Sequence, residues 1–112
     1  MGTAVAGRLE SIKSHAGVNA REIAALLGTS AQTVSRWQQG HVDPQPTKLQ
    51  GLLALEWLAT QLADYYEPEE ARMWLFSRHR LLKGRTPAEL VSEGASDEVL
   101  ALIAQLDDGA VV

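Results

Sequence analysis

The chain has 112 residues, a mass of 12.1 kDa and a net charge of −4, room for one domain or two small ones sharing a core. Its 46% hydrophobic content lies in the globular range and argues against wholesale disorder. The absence of cysteine excludes disulfide staples and thiolate zinc sites. No apolar run approaches the ~20 residues that span a bilayer and the start lacks a basic region, so the expectation is a soluble, cytoplasmic protein with no membrane role.

The sequence predicts helices throughout, because no stretch sustains strand-like alternation and β-branched residues are scattered. A first helix over about Ala4–His15 carries Val5, Leu9 and Ile12 on one stripe, with Gly17 as its stop. Asn19 and Glu22 form a capping box for a second helix ending at Gly28; Ser30 caps a third, which Gly40 closes. His41-Val42-Asp43-Pro44-Gln45-Pro46 reads as a loop, since its prolines remove donors and bias their predecessors away from helix. A long fourth helix then runs from Thr47 to about Tyr66. Its apolar residues, among them Leu49, Leu53, Trp57 and Leu62, cover more than one face, as expected of a central strut or a dimer seam.

Pro68, Glu69 and Glu70 suit the first turn of a fifth helix with Ala71, Trp74 and Leu75 turned inward. Residues 77–85 read as a basic connector. Thr86-Pro87-Ala88-Glu89 combines an N-cap, a proline at the first helical position and a glutamate at the third, the clearest helix start in the chain. Ser96, Asp97 and Glu98 open the last helix, striped by Val99, Leu100, Leu102, Ile103 and Leu106 and ended by Gly109. The three tryptophans fall within apolar stripes and are expected in the core.

Residues 20–39 carry the spacing of a DNA-reading helix-turn-helix. Two short helices that cross steeply need a small side chain where they meet, here Ala24, and a turn residue that tolerates positive φ, here Gly28. Ile23 and Leu27 on the first helix face Val34 and Trp37 on the second. That leaves Gln32, Thr33, Ser35, Arg36 and Gln39 on the outer face, with Ala31. Gln pairs with adenine and Arg with guanine, while hydroxyls suit phosphate oxygens. The charge is asymmetric. Residues 1–50 hold five cations and three anions, net +2, whereas residues 51–112 hold five cations and eleven anions, net −6. A +2 half is weakly basic, so tight DNA binding needs several copies on one duplex.

Other chemistry is not indicated. His15, His41 and His79 lack ligand spacing to one another, so no metal is expected. Glu69-Glu70 and Asp107-Asp108 are adjacent pairs at helix ends, and neither a phosphate loop nor a nucleophile elbow is present. No enzyme activity and no cofactor are expected.

The helix-turn-helix, the Gly40 turn and the proline loop resemble the phage-repressor (Xre-like) class, which implies that Gln32 and Arg36 stand where base-reading side chains sit. Behind them the order Trp74-Leu75-Phe76, Leu81-Leu82-Lys83-Gly84, Arg85-Thr86-Pro87-Ala88-Glu89-Leu90-Val91, Glu93-Gly94, Val99-Leu100 and Gly109 resembles the C-terminal toxin-binding domain of Xre/MbcA/ParS antitoxins. The resemblance implies an all-α fold, an Xre-like helix-turn-helix bundle at 1–66 followed by a small helical toxin-binding domain at 67–112, joined through the long central helix. It implies an antitoxin that dimerises, covers the active site of a NAD-consuming RES-domain toxin encoded beside it, and represses its own operon through operator DNA.

On that reading Leu106 and the apolar tail Ala110, Val111 and Val112 plug the toxin cleft. Four of the second half's five cations (Arg78, Arg80, Lys83 and Arg85) fall within eight residues. They suit the toxin, a phosphate-bearing ligand or a solvated connector, the default for such a run. Two other readings stay open: a stand-alone transcriptional repressor, and a protein-binding module that no longer reads DNA.

Overall fold

Capping chemistry sets the element boundaries in the computed structural model, which describes residues 3–107. Seven α-helices follow in order: α1 (Thr3–Ala16), α2 (Ala20–Leu27), α3 (Ala31–Gln39), α4 (Pro46–Leu62), α5 (Pro68–Leu75), α6 (Pro87–Ser92) and α7 (Ser96–Asp107). A short 3-10 turn at Arg80–Leu82 precedes α6, and no strand occurs among the described residues. The fold is all-helical, as expected. Asn19 Oδ1 accepts from the Glu22 amide at 2.8 Å while the Glu22 carboxylate accepts from the Asn19 amide at 3.1 Å. Thr86 and Glu89 repeat this reciprocal box at the start of α6. Gly28 (φ 68°) and Gly40 (φ 78°) close α2 and α3 in the left-handed region.

The fourth helix is shorter than expected. Pro46 takes its first position after Gln45, and Ala63–Tyr66 leave the helix as turns that deliver the chain to Pro68. α4 buries Leu52, Leu55, Leu58, Ala59 and Leu62 against α1 and α7. These positions recur every three or four residues and define one stripe. Trp57 corrects the expectation for the tryptophans. It lies with Leu53 on the opposite side of α4 and is 55% exposed, whereas Trp37 and Trp74 are 3% and 6% exposed.

Both halves of the chain contribute to one apolar cluster. Ile23, Ala24, Val34 and Trp37 join it from α2 and α3, Ala71, Trp74 and Leu75 from α5, and Val99, Leu102 and Ile103 from α7. α5 packs on α1, α6 on α2, and α7 on α4. Gly17 marks the tightest junction. It has φ 65°, and a Cβ there would stand 2.6 Å from the Pro68 carbonyl oxygen at the start of α5. Glycine is required twice over, by backbone conformation and by the approach of another backbone.

Candidate functional site

The first candidate face is the outer side of α3. With Val34 and Trp37 seated in the core, Gln32, Ser35, Arg36 and Gln39 are exposed and Ala31 lies beside them. Thr33 is half-buried. Its amide donates to Ser30 Oγ at 3.1 Å and the two hydroxyls lie 2.8 Å apart, so this side chain completes the N-cap of α3. Beside it, Thr33, Trp37, Val42, Asp43 and Lys48 border a pocket of about 370 Å³.

Three of the five cations of residues 1–50 serve internal contacts. Lys48 Nζ donates to the Leu27 and Gly28 carbonyls at 2.8 and 3.2 Å, neutralising the C-terminus of α2. Lys13 Nζ donates to Gln38 Oε1 at 2.7 Å, and Arg8 pairs with Glu56 on α4. Arg21 and Arg36 are exposed with no ion-pair partner among the described residues.

The second candidate face runs from α5 through the connector. The connector is folded: the His79 amide donates to the Arg85 carbonyl at 3.1 Å, and the Gly84 amide returns to the His79 carbonyl at 3.0 Å. Lys83 and Gly84 both take left-handed backbone conformations, φ 59° and 80°. Arg78, Arg80 and Lys83 stand exposed around this loop. Arg85 differs from them. Its guanidinium bonds Glu93 and lies 3.9 Å from Glu89, and Glu93 above all holds its pKa above the ordinary value. Leu106 is half-buried against the core, while Ala110, Val111 and Val112 lie outside the described residues.

Three large apolar side chains stand exposed here: Met73 is 65% exposed, Phe76 38% and Leu81 56%; from sequence Phe76 and Leu81 enter only as members of the toxin-binding-domain pattern, and Met73 is not named. A helical projection finds two of them, since Met73 and Phe76 sit three apart and opposite the Ala71–Trp74–Leu75 stripe. Arg72 connects this face to α2. Its guanidinium bonds the Glu22 carboxylate and lies 5.6 Å from the centroid of the Phe76 ring. The Arg72 hydrogen bond, helped by the Asn19 amide, holds the Glu22 carboxyl below the usual range although partial burial opposes it.

On the other flank of α5, the His79 ring lies 4.7 Å from that of Trp74, and His79 Nε2 donates to the Trp74 carbonyl at 3.0 Å. The buried Trp74 indole N–H has no hydrogen-bond partner among the described residues, an arrangement that costs roughly 1–3 kcal/mol. No group of three or more His, Cys, Asp or Glu among the described residues is placed to hold a metal ion. No helix of the described residues is long and apolar enough to cross a membrane.

No family model matches the chain. It is 35% identical over 112 residues to the mycobacterial cidal antitoxin MbcA of Mycobacterium tuberculosis, covering 100% of this chain and 96% of that protein. The chain belongs to the MbcA family of antitoxins. MbcA of Mycobacterium bovis matches to the same extent, and a probable mycobacterial cidal antitoxin of M. tuberculosis is 30% identical over 96 residues, 86% of this chain and 82% of that one. The crystal structure of the M. tuberculosis MbcT–MbcA toxin–antitoxin complex contains a chain that superposes with a TM-score of 0.85 at 34% identity, covering 98% of this chain and 99% of that one. The protein is thus an antitoxin of a toxin–antitoxin system, and its whole described fold is that of an MbcA-type chain.

Proposed function

We propose that this MbcA-family chain neutralises a RES-domain, NAD-consuming toxin by covering its active site, and that as a homodimer it represses its own operon through operator DNA. The observation that carries the toxin reading is the full-length match to an antitoxin whose structure was solved with its toxin. Residues 67–112 supply the toxin-facing part. Between residues 73 and 83 of an otherwise acidic half, Met73, Phe76 and Leu81 are exposed together with the cations Arg78, Arg80 and Lys83, the residue types that an interface core and its polar rim use. Leu106 and the tail Ala110–Val112 extend that surface on the same reading.

Residues 1–66 supply DNA reading. Gln32, Ser35, Arg36 and Gln39 face solvent on the second helix of a helix-turn-helix, and Thr33 orders its first turn. Leu53 and Trp57, exposed together on α4, support the homodimer. Co-expression with the neighbouring reading frame tests the toxin reading: the neighbour alone arrests growth and consumes NAD, and the pair co-purifies. A harmless neighbour that does not co-purify refutes it.

A second reading, a protein-binding module without DNA function, is favoured by one observation: Arg8, Lys13 and Lys48 are held in internal contacts. Gel-shift titration against the chain's own upstream region over a salt series separates the two, because counterion release makes DNA binding fall steeply with salt.

A further inference from the structure

We propose that the pocket at the outer flank of α5 is a socket for a lysine or arginine side chain projected by the toxin. The pocket measures about 300 Å³ and is lined by Tyr66, Glu70, Met73, Trp74, Ser77 and His79. This rests on the reading of residues 67–112 as toxin-facing and reverses its usual direction: the toxin inserts a side chain into the antitoxin.

The lining selects the occupant. Tyr66, Trp74 and His79 offer rings and Met73 a thioether, walls suited to a long hydrocarbon stem. Glu70 is the only acidic residue of the lining and no Lys or Arg lines it. One Glu70 oxygen accepts from the Glu67 amide at 2.9 Å, while the other has no partner among the described residues. A carboxylate beside aromatic rings favours a cation on an apolar stem. An aliphatic side chain would leave that carboxylate desolvated and unpaired, and an acidic one would be repelled by it. Arg78 and Arg80 follow the pocket in sequence but lie outside its lining, available to carboxylates around the toxin's cation.

The pocket is accessible where it needs to be, since Met73 at its edge is 65% exposed. Its back wall is fixed, because Trp74 is 6% exposed and held against His79. The buried indole N–H of Trp74, a lining residue, gives a reporter.

Two measurements test the socket. In the first, isotope-labelled full-length chain is titrated with N-acetyl-arginine methylamide, its lysine counterpart, and the leucine and glutamate analogues, following the Trp74 indole N–H and the Met73 methyl by NMR. The cationic probes give saturable shifts at both positions, and Glu70→Gln, which keeps the acceptor for the Glu67 amide, weakens them about tenfold. No shift with the cationic probes, or leucine binding as well as arginine, overturns the proposal.

In the second, Glu70→Gln and Met73→Ala each raise the toxin Kd about tenfold with unchanged unfolding midpoints. Unchanged affinity in both variants overturns the proposal even if the complex forms. Probe binding without any toxin complex upholds a cation socket while refuting the toxin-facing reading on which the occupant's source depends.

Discussion

The outer face of α3 and the face running from α5 to Leu81 sit on one core yet are built in opposite ways. α3 turns every large apolar side chain inward and exposes polar groups, and the cations near it are mostly consumed by caps and cross-helix contacts. The α5 face leaves Met73, Phe76 and Leu81 in solvent and keeps Arg78, Arg80 and Lys83 exposed. A polar, cap-rigidified face suits a ligand read by hydrogen bonds, where misplacement by an ångström matters. A face with exposed apolar anchors suits a protein partner that removes them from water. The contrast is between two surfaces of one small core that suit different kinds of partner.

The largest effect is expected where both faces depend on the same joint. Gly17→Val sets a β-branched residue at positive φ and drives its Cβ into the Pro68 carbonyl. The expected loss is about 2–4 kcal/mol of unfolding free energy, from backbone strain and overpacking together. Urea denaturation followed at Trp37 and Trp74, on opposite sides of the joint, should show both transitions moving together. A shift at Trp74 alone would mean that the two halves unfold as separate units.

Next in size is the separation of the two proposed binding activities. Met73→Lys with Leu81→Asp places charges where apolar side chains are proposed to meet the toxin, and toxin affinity should fall about 100-fold, ~2.7 kcal/mol, by calorimetry. Stability should hold, because both side chains are more than half exposed. Operator affinity should also hold. Arg36→Ala is the reciprocal change: base preference in gel shifts should relax by ~1–3 kcal/mol with toxin affinity untouched. If either change weakens both partners equally, the two faces are not independent.

The parts legible in the sequence were those fixed by local chemistry. The caps at Asn19, Ser30 and Thr86, the glycine stops at Gly28 and Gly40, and the inward stripe of α5 follow from spacing alone, and the structure places them accordingly. Trp57 was misjudged because apolar residues on several faces of α4 signal burial without saying which face the chain itself covers. The exposure of Met73, Phe76 and Leu81 is hidden in the sequence for the same reason. A run such as Met73-Trp74-Leu75-Phe76 contains both inward and outward positions, and tertiary packing decides between them. The connector's turn, with Lys83 at positive φ, carries no glycine at that position to announce it. Nor does spacing reveal that Arg72, fifty residues away, completes the setting of Glu22.

That distant pair yields the smallest predicted effect. The folded-state pKa of Glu22 is depressed first by the Arg72 hydrogen bond and then by the Asn19 amide, against the opposing pull of partial burial. A carboxyl depressed on folding contributes stability that is fully present above its unfolded value and is lost as pH falls through the folded value. Glu22→Gln should therefore lower stability slightly at pH 7 and flatten the acid limb of the stability curve, the two curves converging at low pH. Arg72→Met should act in the same direction, and the double variant should add little, because both changes remove one interaction. Arg72 is 46% exposed, so the effect should shrink further in salt. Stability curves for parent and Glu22→Gln that run parallel from pH 7 to pH 3 would show that this contact joins the α5 face to α2 in geometry without coupling them in energy.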